Sequence, residues 1–141
     1  MERVFESRHT VRGYECDFYG HVNNAVYLNY LEFARMETLE AVGLSLGRLK
    51  AEGVSIVIRQ ITIRYRRPAE MGDRLRIESR FTGHSGARGN FEQRIVRESD
   101  GVVCAEAEVQ WTVIDPSGRP TRIPRNVLDA FAAADGGPGD D

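Results

Sequence analysis

The feature that most constrains the fold is a change in hydrophobic period near Gly53. Between about Asn24 and Val42, apolar side chains recur at spacings of three, four and one, which is typical of an amphipathic helix. This stripe consists of Val26, Tyr27, Tyr30, Leu31, Ala34, Leu39 and Val42. After Gly53 the period falls to two, which is typical of strands with one buried face. One long helix followed by a run of strands predicts an α+β domain.

Polar residues mark the ends and the outer side of the predicted long helix. Asn23 or Asn24 can cap its start, and Gly43 can supply a left-handed stop at its end. Arg35 and Glu37 fall on the side with fewer apolar residues. We therefore expect both of these charged side chains on the polar side of the helix.

Five segments are predicted to form long antiparallel strands, after a short second helix at about 46–52. They are residues 3–13, "SIVIRQITIRYRRP", "LRIESRF", "GNFEQRIVRE" and "VVCAEAEVQWTVI", the last two joined by the turn "SDG". Arg59 breaks the alternation of the second segment, which favours a β-bulge over an arginine that points into a site. The simplest arrangement is a curved sheet wrapped around the helix. Its open edges favour pairing with a second copy of the chain.

Length and composition limit the class of protein. The 141 residues fit a single domain, predicted at 1–133, and the Gly- and Asp-rich tail at 134–141 is predicted to be disordered. A net charge of −2 gives no general attraction to nucleic acid. No apolar run is long enough for a membrane span or a signal peptide, so we predict a cytoplasmic protein. Cys16 and Cys104 form no ligand-like cluster.

The stretch "CDFYGHVNN" places candidate catalytic groups just before the long helix. Asp17 lies about six residues before the helix, too far to cap it, and can act as a general base or a nucleophile. Gly20 permits a tight turn. The unpaired N–H groups of the first helical turn, at Asn24 to Val26, can stabilise an oxyanion. His21 can be a general acid, an orienting donor or only a turn residue.

The same stretch has other interpretations. Cys16, His21 and Asn23 can be read as a papain-like nucleophile, base and orienting group. Glu32, on the helix, is a reserve carboxylate. Asp17 and His21 find no third ligand at a recognisable spacing, so neither a metal site nor another cofactor is predicted.

The stretch "CDFYGHVNNAVYLNYLEFAR" resembles the opening motif of hotdog-fold acyl-CoA thioesterases of the 4-hydroxybenzoyl-CoA thioesterase class. Its "HVNN" form is most similar to the long-chain acyl-CoA thioesterases of that family and, more distantly, to plant acyl-ACP thioesterases. Two later stretches, "IRYRRPAEMGDRLRIESR" and "SDGVVCAEAEVQWTVIDPSGRPTRIP", resemble the family's "Pro … Gly-Asp" turn and final hairpin. The resemblance covers about residues 5–130. It implies a hotdog fold, in which about five antiparallel strands wrap around one long helix.

The resemblance also implies roles for individual residues. Asp17 matches the family's catalytic acid, the Asn24 N–H matches its oxyanion donor, and the imidazole of His21 belongs to the "HVNN" form. The candidate residues for substrate binding are Asn23, Tyr27, Arg59, Arg66 and Arg88, and Arg64 and Arg67 are further candidates for the nucleotide phosphates. Glu32 and Arg35 match a Glu … Arg pair of several members, which can be a structural ion pair or a chemical group.

The implied activity is hydrolysis of an acyl-CoA thioester to a carboxylic acid and CoA. The alternatives are an acyl-ACP thioesterase of a biosynthetic pathway and a hotdog protein that binds acyl-CoA without turnover, since fold alone does not fix function. The expected partners are acyl-CoA or acyl carrier protein and further copies of the chain, as a dimer or tetramer. Neither nucleic acid nor a membrane is an expected partner.

Overall fold

A computed structural model describes residues 3–134, in which one five-stranded antiparallel sheet is combined with three α-helices. The helices are α1 (Asn24–Ala41), α2 (Leu46–Ala51) and α3 (Arg125–Ala134). The strands are β1 (Phe5–Thr10), β2 (Ser55–Tyr65), β3 (Arg74–Ser85), β4 (Arg88–Arg97) and β5 (Val103–Ile114). The predicted long helix, the short second helix and all five predicted strands are therefore confirmed.

The strand order β1-β3-β4-β5-β2 leaves β1 and β2 at the edges of the sheet. Along β3, Leu75, Ile77 and Phe81 are buried. Arg76 and Glu78, which alternate with them, are charged and only partly buried. This alternation gives the sheet one apolar face, which α1 covers. The arrangement is the α+β hotdog fold that the sequence predicts.

The ends of α1 are set by its flanking residues. Asn23 is the N-cap, with its side-chain oxygen accepting a hydrogen bond from the Ala25 N–H at 2.9 Å. At the other end, Gly43 has a φ of 78°, which a residue with a side chain rarely adopts. The Leu44 N–H returns to the Leu39 carbonyl at 2.8 Å. The predicted cap and stop are both confirmed.

The polar side of α1 is the first place where the prediction is wrong. Glu37 is exposed as expected, but Arg35 is only 8% exposed and donates from Nη1 to Gln93 Oε1 on β4 at 3.0 Å. Gln93 in turn donates to the Leu31 carbonyl and to Ser79 Oγ. The apolar pattern assigned Arg35 to solvent because it cannot show that a buried amide on the sheet will receive the guanidinium.

Two further features lie outside α1. The register between β2 and β5 shifts between Ile58 and Gln60, so the bulge at Arg59 is confirmed. Helix α3 was not predicted, and its Phe131 stacks on Phe81 of β3 with ring centroids 4.6 Å apart. Ala134, the first residue of the predicted disordered tail, is the last residue of α3. The rest of that tail, 135–141, lies outside the described residues.

Candidate active site at the start of helix α1

The segment from Asp17 to His21 is a closed turn. The Asp17 N–H donates to the His21 carbonyl at 2.8 Å, and the Gly20 N–H donates to the Asp17 carbonyl at 3.0 Å. Gly20 has a φ of 78°, so the predicted tight turn is present and depends on glycine. The next residue, Val22, donates its N–H to the Ala69 carbonyl at 2.8 Å, which fixes the turn against the loop before β3.

The Asp17 carboxylate is oriented by this turn but is not saturated. Its Oδ1 accepts from the N–H groups of Tyr19 at 2.9 Å and His21 at 3.2 Å. Within residues 3–134 no protein group donates a hydrogen bond to Oδ2. The side chain is exposed. A fixed carboxylate with one free, solvent-accessible oxygen can accept a proton from water or attack an electrophile.

The first backbone amides of α1 are not equivalent. The Ala25 N–H is bound by the Asn23 side chain, and the Val26 N–H is bound by the Asn23 carbonyl at 2.9 Å. The Asn24 N–H is left without a hydrogen-bond partner among residues 3–134. Of the three amides at Asn24 to Val26 that were expected to be free, one donor therefore remains, the Asn24 N–H. It lies at the positive end of the helix dipole.

Asp17 and the start of α1 line one pocket of about 230 Å³. Its walls are Asp17, His21, Val22, Asn24, Tyr27, Tyr65, Arg66, Arg67 and Pro68. Tyr65, from the end of β2, donates its hydroxyl to the Asn24 carbonyl at 3.0 Å. Tyr27 is buried, and its hydroxyl accepts from the Ala69 N–H at 3.0 Å. These two tyrosines hold the helix start against β2 and the loop after it.

The predicted arginines divide between this pocket and other surfaces. Arg66 lines the pocket and donates to Glu106 at 2.7 Å. Arg67 lines it as well, and its guanidinium has no ion-pair partner within the described part of the chain. Arg59 lies at the β2 bulge and Arg88 at the start of β4, and neither lines the pocket. The pocket thus offers two guanidinium groups beside its carboxylate.

Two other predicted residues, Asn23 and His21, differ in their position relative to the pocket. The side chain of Asn23 caps α1 and does not line the pocket. His21 lies at the pocket with Nε2 at 3.4 Å from Glu70 Oε2, and its backbone closes the turn. The imidazole of His21 therefore lies at the pocket beside the Glu70 carboxylate.

The papain-like interpretation of Cys16 finds no support in this geometry. Its Sγ lies 3.7 Å from the Arg12 carbonyl, and it does not line the pocket. Partial burial and the nearby charges of Asp17 and Glu15 raise the pKa of the Cys16 thiol. Because the thiolate is the nucleophilic form, a raised pKa disfavours attack by this side chain.

Sequence reasoning missed Glu15, which anchors the turn to the rest of the fold. Its Oε1 accepts from the Tyr30 hydroxyl at 2.8 Å and from the Arg12 N–H at 2.8 Å, and His9 Nε2 lies 2.9 Å away. Its backbone carbonyl accepts from the N–H of the helix cap, Asn23, at 2.9 Å. Burial opposes the charge of Glu15, but these hydrogen bonds outweigh it and lower the pKa of the carboxyl group. In the sequence, the acidic residue at position 15 and Tyr30 on the apolar stripe of α1 were the available indications of this contact.

Comparisons with known proteins agree with this fold. The model of the thioesterase-like superfamily matches residues 11–131. The chain is 42% identical over 105 residues to the long-chain acyl-CoA thioesterase FadM of Escherichia coli K12, covering 74% of this chain and 79% of that protein. It is 33% identical over 131 residues to the chloroplastic acyl-acyl carrier protein thioesterase ATL3 of Arabidopsis thaliana, covering 93% of this chain and 69% of that protein.

A solved structure extends the comparison to the fold. The crystal structure of a 1,4-dihydroxy-2-naphthoyl-CoA thioesterase from Synechocystis superposes with a TM-score of 0.85 at 22% identity, covering 92% of this chain and 96% of that one. The chain therefore belongs to the thioesterase-like superfamily, and the predicted enzyme class, a thioester hydrolase with the hotdog fold, is confirmed. No helix within residues 3–134 has the length and apolarity to cross a membrane.

Proposed function

We propose that the chain hydrolyses an acyl-CoA thioester to a carboxylic acid and CoA at the start of α1. The observation that carries this proposal is that one pocket is lined by both Asp17 and Asn24, whose backbone N–H has no partner among residues 3–134. We assign the chain to the 4-hydroxybenzoyl-CoA thioesterase class and, within it, to the "HVNN" long-chain subgroup. The 42% identity to the long-chain enzyme FadM supports this narrower assignment.

The proposed reaction uses the two free polar groups of the pocket. The thioester carbonyl oxygen accepts a hydrogen bond from the Asn24 N–H, and the helix dipole stabilises the negative charge that develops there. Asp17 Oδ2 removes a proton from water as the water attacks the carbonyl carbon, or attacks that carbon itself to form an anhydride that water opens. In both routes the C–S bond breaks and the CoA thiolate takes up a proton. In the first route this is the proton that Asp17 took from water, and in the second it is released by the water that opens the anhydride and regenerates the Asp17 carboxylate.

The rest of the pocket suits the remainder of the substrate. Arg67 lacks an ion-pair partner within residues 3–134, and Arg66 pairs only with the partly exposed carboxylate of Glu106. Both guanidinium groups can therefore contact the CoA phosphates. The apolar faces of Tyr27 and Tyr65, whose rings lie 5.3 Å apart, border the position of the reacting carbonyl. His21 is proposed to hydrogen-bond the substrate at the rim.

We also propose that the protein works as a homodimer that pairs through β2. This edge strand has 11 residues, against 6 in the other edge strand, β1. It exposes apolar side chains, with Val57 at 37% and Ile58 at 42%. Pairing two copies of β2 would satisfy the edge and cover these residues. Sedimentation equilibrium tests the dimer, and a monomer at micromolar concentration would contradict it. The cytoplasmic location stays a prediction.

An acyl-ACP thioesterase is the second candidate, because the likeness to ATL3 covers 93% of the chain. The two candidates differ in the group that carries the thioester, and the reacting carbonyl is the same. Steady-state kinetics with one acyl group on CoA and on acyl carrier protein separates them. A higher kcat/KM with CoA supports the first candidate, and a higher value with the carrier protein supports the second.

The direct test of the proposed function is release of free thiol from a panel of short, long and aromatic acyl-CoAs. We expect turnover of at least one acyl class. Binding of acyl-CoA without thiol release across the whole panel would replace hydrolysis by the non-catalytic interpretation.

A further inference from the structure

A second pocket lies on the same helix as the proposed active site, farther toward its C-terminus. It has a volume of about 100 Å³, and its walls are Glu32, Arg35, Met36, Leu39, Leu46, Ile56, Ile58, Phe91 and Trp111. Most of these residues are apolar. A pocket of this size and character suits the end of an acyl chain or a small ring.

Arg35 is the unusual wall of this pocket. The side chain is buried, and a guanidinium has five N–H donors. Within residues 3–134 its hydrogen bond to the neutral amide of Gln93 is its only one, and no carboxylate lies within ion-pairing distance. The nearest opposing charge is that of the exposed Glu32 on the same helix. A buried cation with most of its donors unused is costly unless a further acceptor reaches it.

Trp111 forms an aromatic wall of this pocket. Its indole is 1% exposed and lines the same pocket. The Nε1 atom is the buried side-chain donor that has no hydrogen-bond partner in the described residues. Buried indole N–H groups usually find a partner. Because Nε1 itself is shielded from solvent, this donor does not open into the pocket, and Arg35 supplies the donors that a bound group could reach.

The pocket is in line with the proposed reaction site. From Asn24 to Arg35 the helix rises by about 16 Å at about 1.5 Å per residue. Leu28, Glu32 and Met36 recur at intervals of four residues and so lie on one face of α1, with Leu28 between the two pockets and Glu32 and Met36 at the second one. Leu28 is 38% exposed and Met36 is 43% exposed. An extended acyl chain can run along this face with its carbonyl at Asn24.

We propose that the pocket of Arg35 and Trp111 receives the distal end of an oxygenated acyl chain, whose hydroxyl or carboxylate oxygen accepts hydrogen bonds from Arg35. This inference rests on the proposed thioester hydrolysis and adds the class of acyl group. A plain hydrocarbon end would fill the apolar walls but would leave the free donors of Arg35 unsatisfied. The pocket thereby selects among chains of equal length by the chemistry of their ends.

The test compares kcat/KM for three acyl-CoAs of equal chain length: dodecanoyl-CoA, ω-hydroxydodecanoyl-CoA and ω-carboxyundecanoyl-CoA. We expect the native protein to prefer at least one oxygenated chain by about tenfold, the effect of one hydrogen bond to a charged group. A higher rate for the hydroxyl or for the carboxyl substrate identifies which oxygen the pocket takes. Equal rates for all three, or a preference for dodecanoyl-CoA, would overturn this inference while leaving thioester hydrolysis intact.

Arg35→Met keeps the length of the side chain and removes its donors, so it should abolish most of the preference. Arg35→Lys keeps the positive charge with fewer donors, so it should retain part of the preference, and it serves if Arg35→Met does not fold. The matched control is Arg125→Met, at an exposed arginine of α3, which should leave the ratio of rates unchanged.

A second copy of the chain is the competing occupant of the pocket. If Arg35→Met alters the sedimentation mass and leaves the ratio of rates unchanged, Arg35 faces the other copy and the inference is overturned. No hydrolysis of these three substrates, with turnover of another acyl class in the panel, would overturn this inference alone, whereas no hydrolysis across the whole panel would overturn the proposed function itself.

Discussion

Two turns of this protein have the same backbone geometry and different surroundings. In "DPSGR", after β5, Asp115 Oδ1 accepts from the N–H groups of Ser117 at 2.8 Å and Arg119 at 3.1 Å. The Gly118 N–H donates to the Asp115 carbonyl at 2.9 Å, and Gly118 has a φ of 85°. The turn "DFYGH" at Asp17 repeats each of these features at the same spacing.

The chain segments that leave the two turns differ. The Asp17 turn leads into the cap of α1, and Asp17 lines the same pocket as Asn24, the first residue of that helix. The Asp115 turn leads back along an extended segment, and Ser117 Oγ adds another hydrogen bond to Asp115 Oδ1 at 2.6 Å. The Asp-x-x-Gly turn is thus a structural unit that orients a carboxylate. It becomes a candidate site where a helix start presents a free N–H beside it.

The largest expected effect separates the two aspartates. Asp17→Asn should lower kcat for thioester hydrolysis at least about a hundredfold, because the amide can neither accept the proton of water nor attack the carbonyl. Asp115→Asn is the matched control and should leave kcat unchanged. Thiol release measures both variants. An equal loss of kcat in the two variants would mean that the turn acts only through the fold.

Glu15 should matter for stability more than for chemistry. Glu15→Gln should lower the free energy of unfolding by about 1–3 kcal/mol, because the Tyr30 hydroxyl and the Arg12 N–H lose a charged acceptor. Denaturant unfolding measures this loss. Since hydrogen bonds lower the folded-state pKa of Glu15, its stabilisation is present above the unfolded pKa and is lost as pH falls through the folded value.

The variant without a titrating group at position 15 should therefore lose less stability on acidification than the native protein. The conservative replacement Glu98→Gln, at an exposed carboxylate paired with Arg8, is the control and should change stability by less than about 1 kcal/mol. A parallel acid response of the native protein and Glu15→Gln would refute the role given to this carboxylate.

The two turn glycines give a smaller and more selective effect. No atom lies within 4 Å of a Cβ built on Gly20 or Gly118, so substitution by Ala costs only the strain of a positive φ. Each variant should lose about 1 kcal/mol of stability. Gly20→Ala should also lower kcat, because it shifts the Asp17 carboxylate, whereas Gly118→Ala should not. Unchanged kcat in both would show that the reaction tolerates movement of this turn.

Cys16→Ser should give the smallest effect. The thiol does not line the pocket, so kcat should stay within about twofold of the native value, well under the loss expected for a nucleophile. Thiol-release kinetics measured at several pH values tests this. Complete loss of turnover with an intact fold would restore the papain-like interpretation.

The strands and α1 were predictable because their apolar spacing is regular and local. Arg59 was correctly interpreted as a bulge for the same reason, since it interrupts a strict alternation. Arg35 was misplaced because its acceptor, Gln93, lies 58 residues away on β4. Helix α3 was missed because its buried residues, Val127 and Phe131, are too few to form a recognisable stripe.

The candidate site was predictable to a similar degree. Asp17, His21, Asn24 and Tyr27 were named from one contiguous stretch, and the structure places all four at the same pocket. Arg66 and Arg67 were named only within a wider set of arginines, and the contribution of Tyr65 was missed, because local spacing does not encode where the end of β2 meets the helix start. Glu15 was missed because its partners come from β1, the turn and α1 together.

The most direct test of the central claim observes the Asn24 N–H itself. A non-hydrolysable acyl-CoA analogue, with CH₂ in place of the thioester sulfur, keeps the carbonyl and can be titrated into ¹⁵N-labelled protein. We predict that the Asn24 amide proton shifts downfield as it binds the carbonyl oxygen, while the Arg119 amide of the matching turn does not move. Saturable binding with no change at Asn24 would contradict the oxyanion role proposed for this amide.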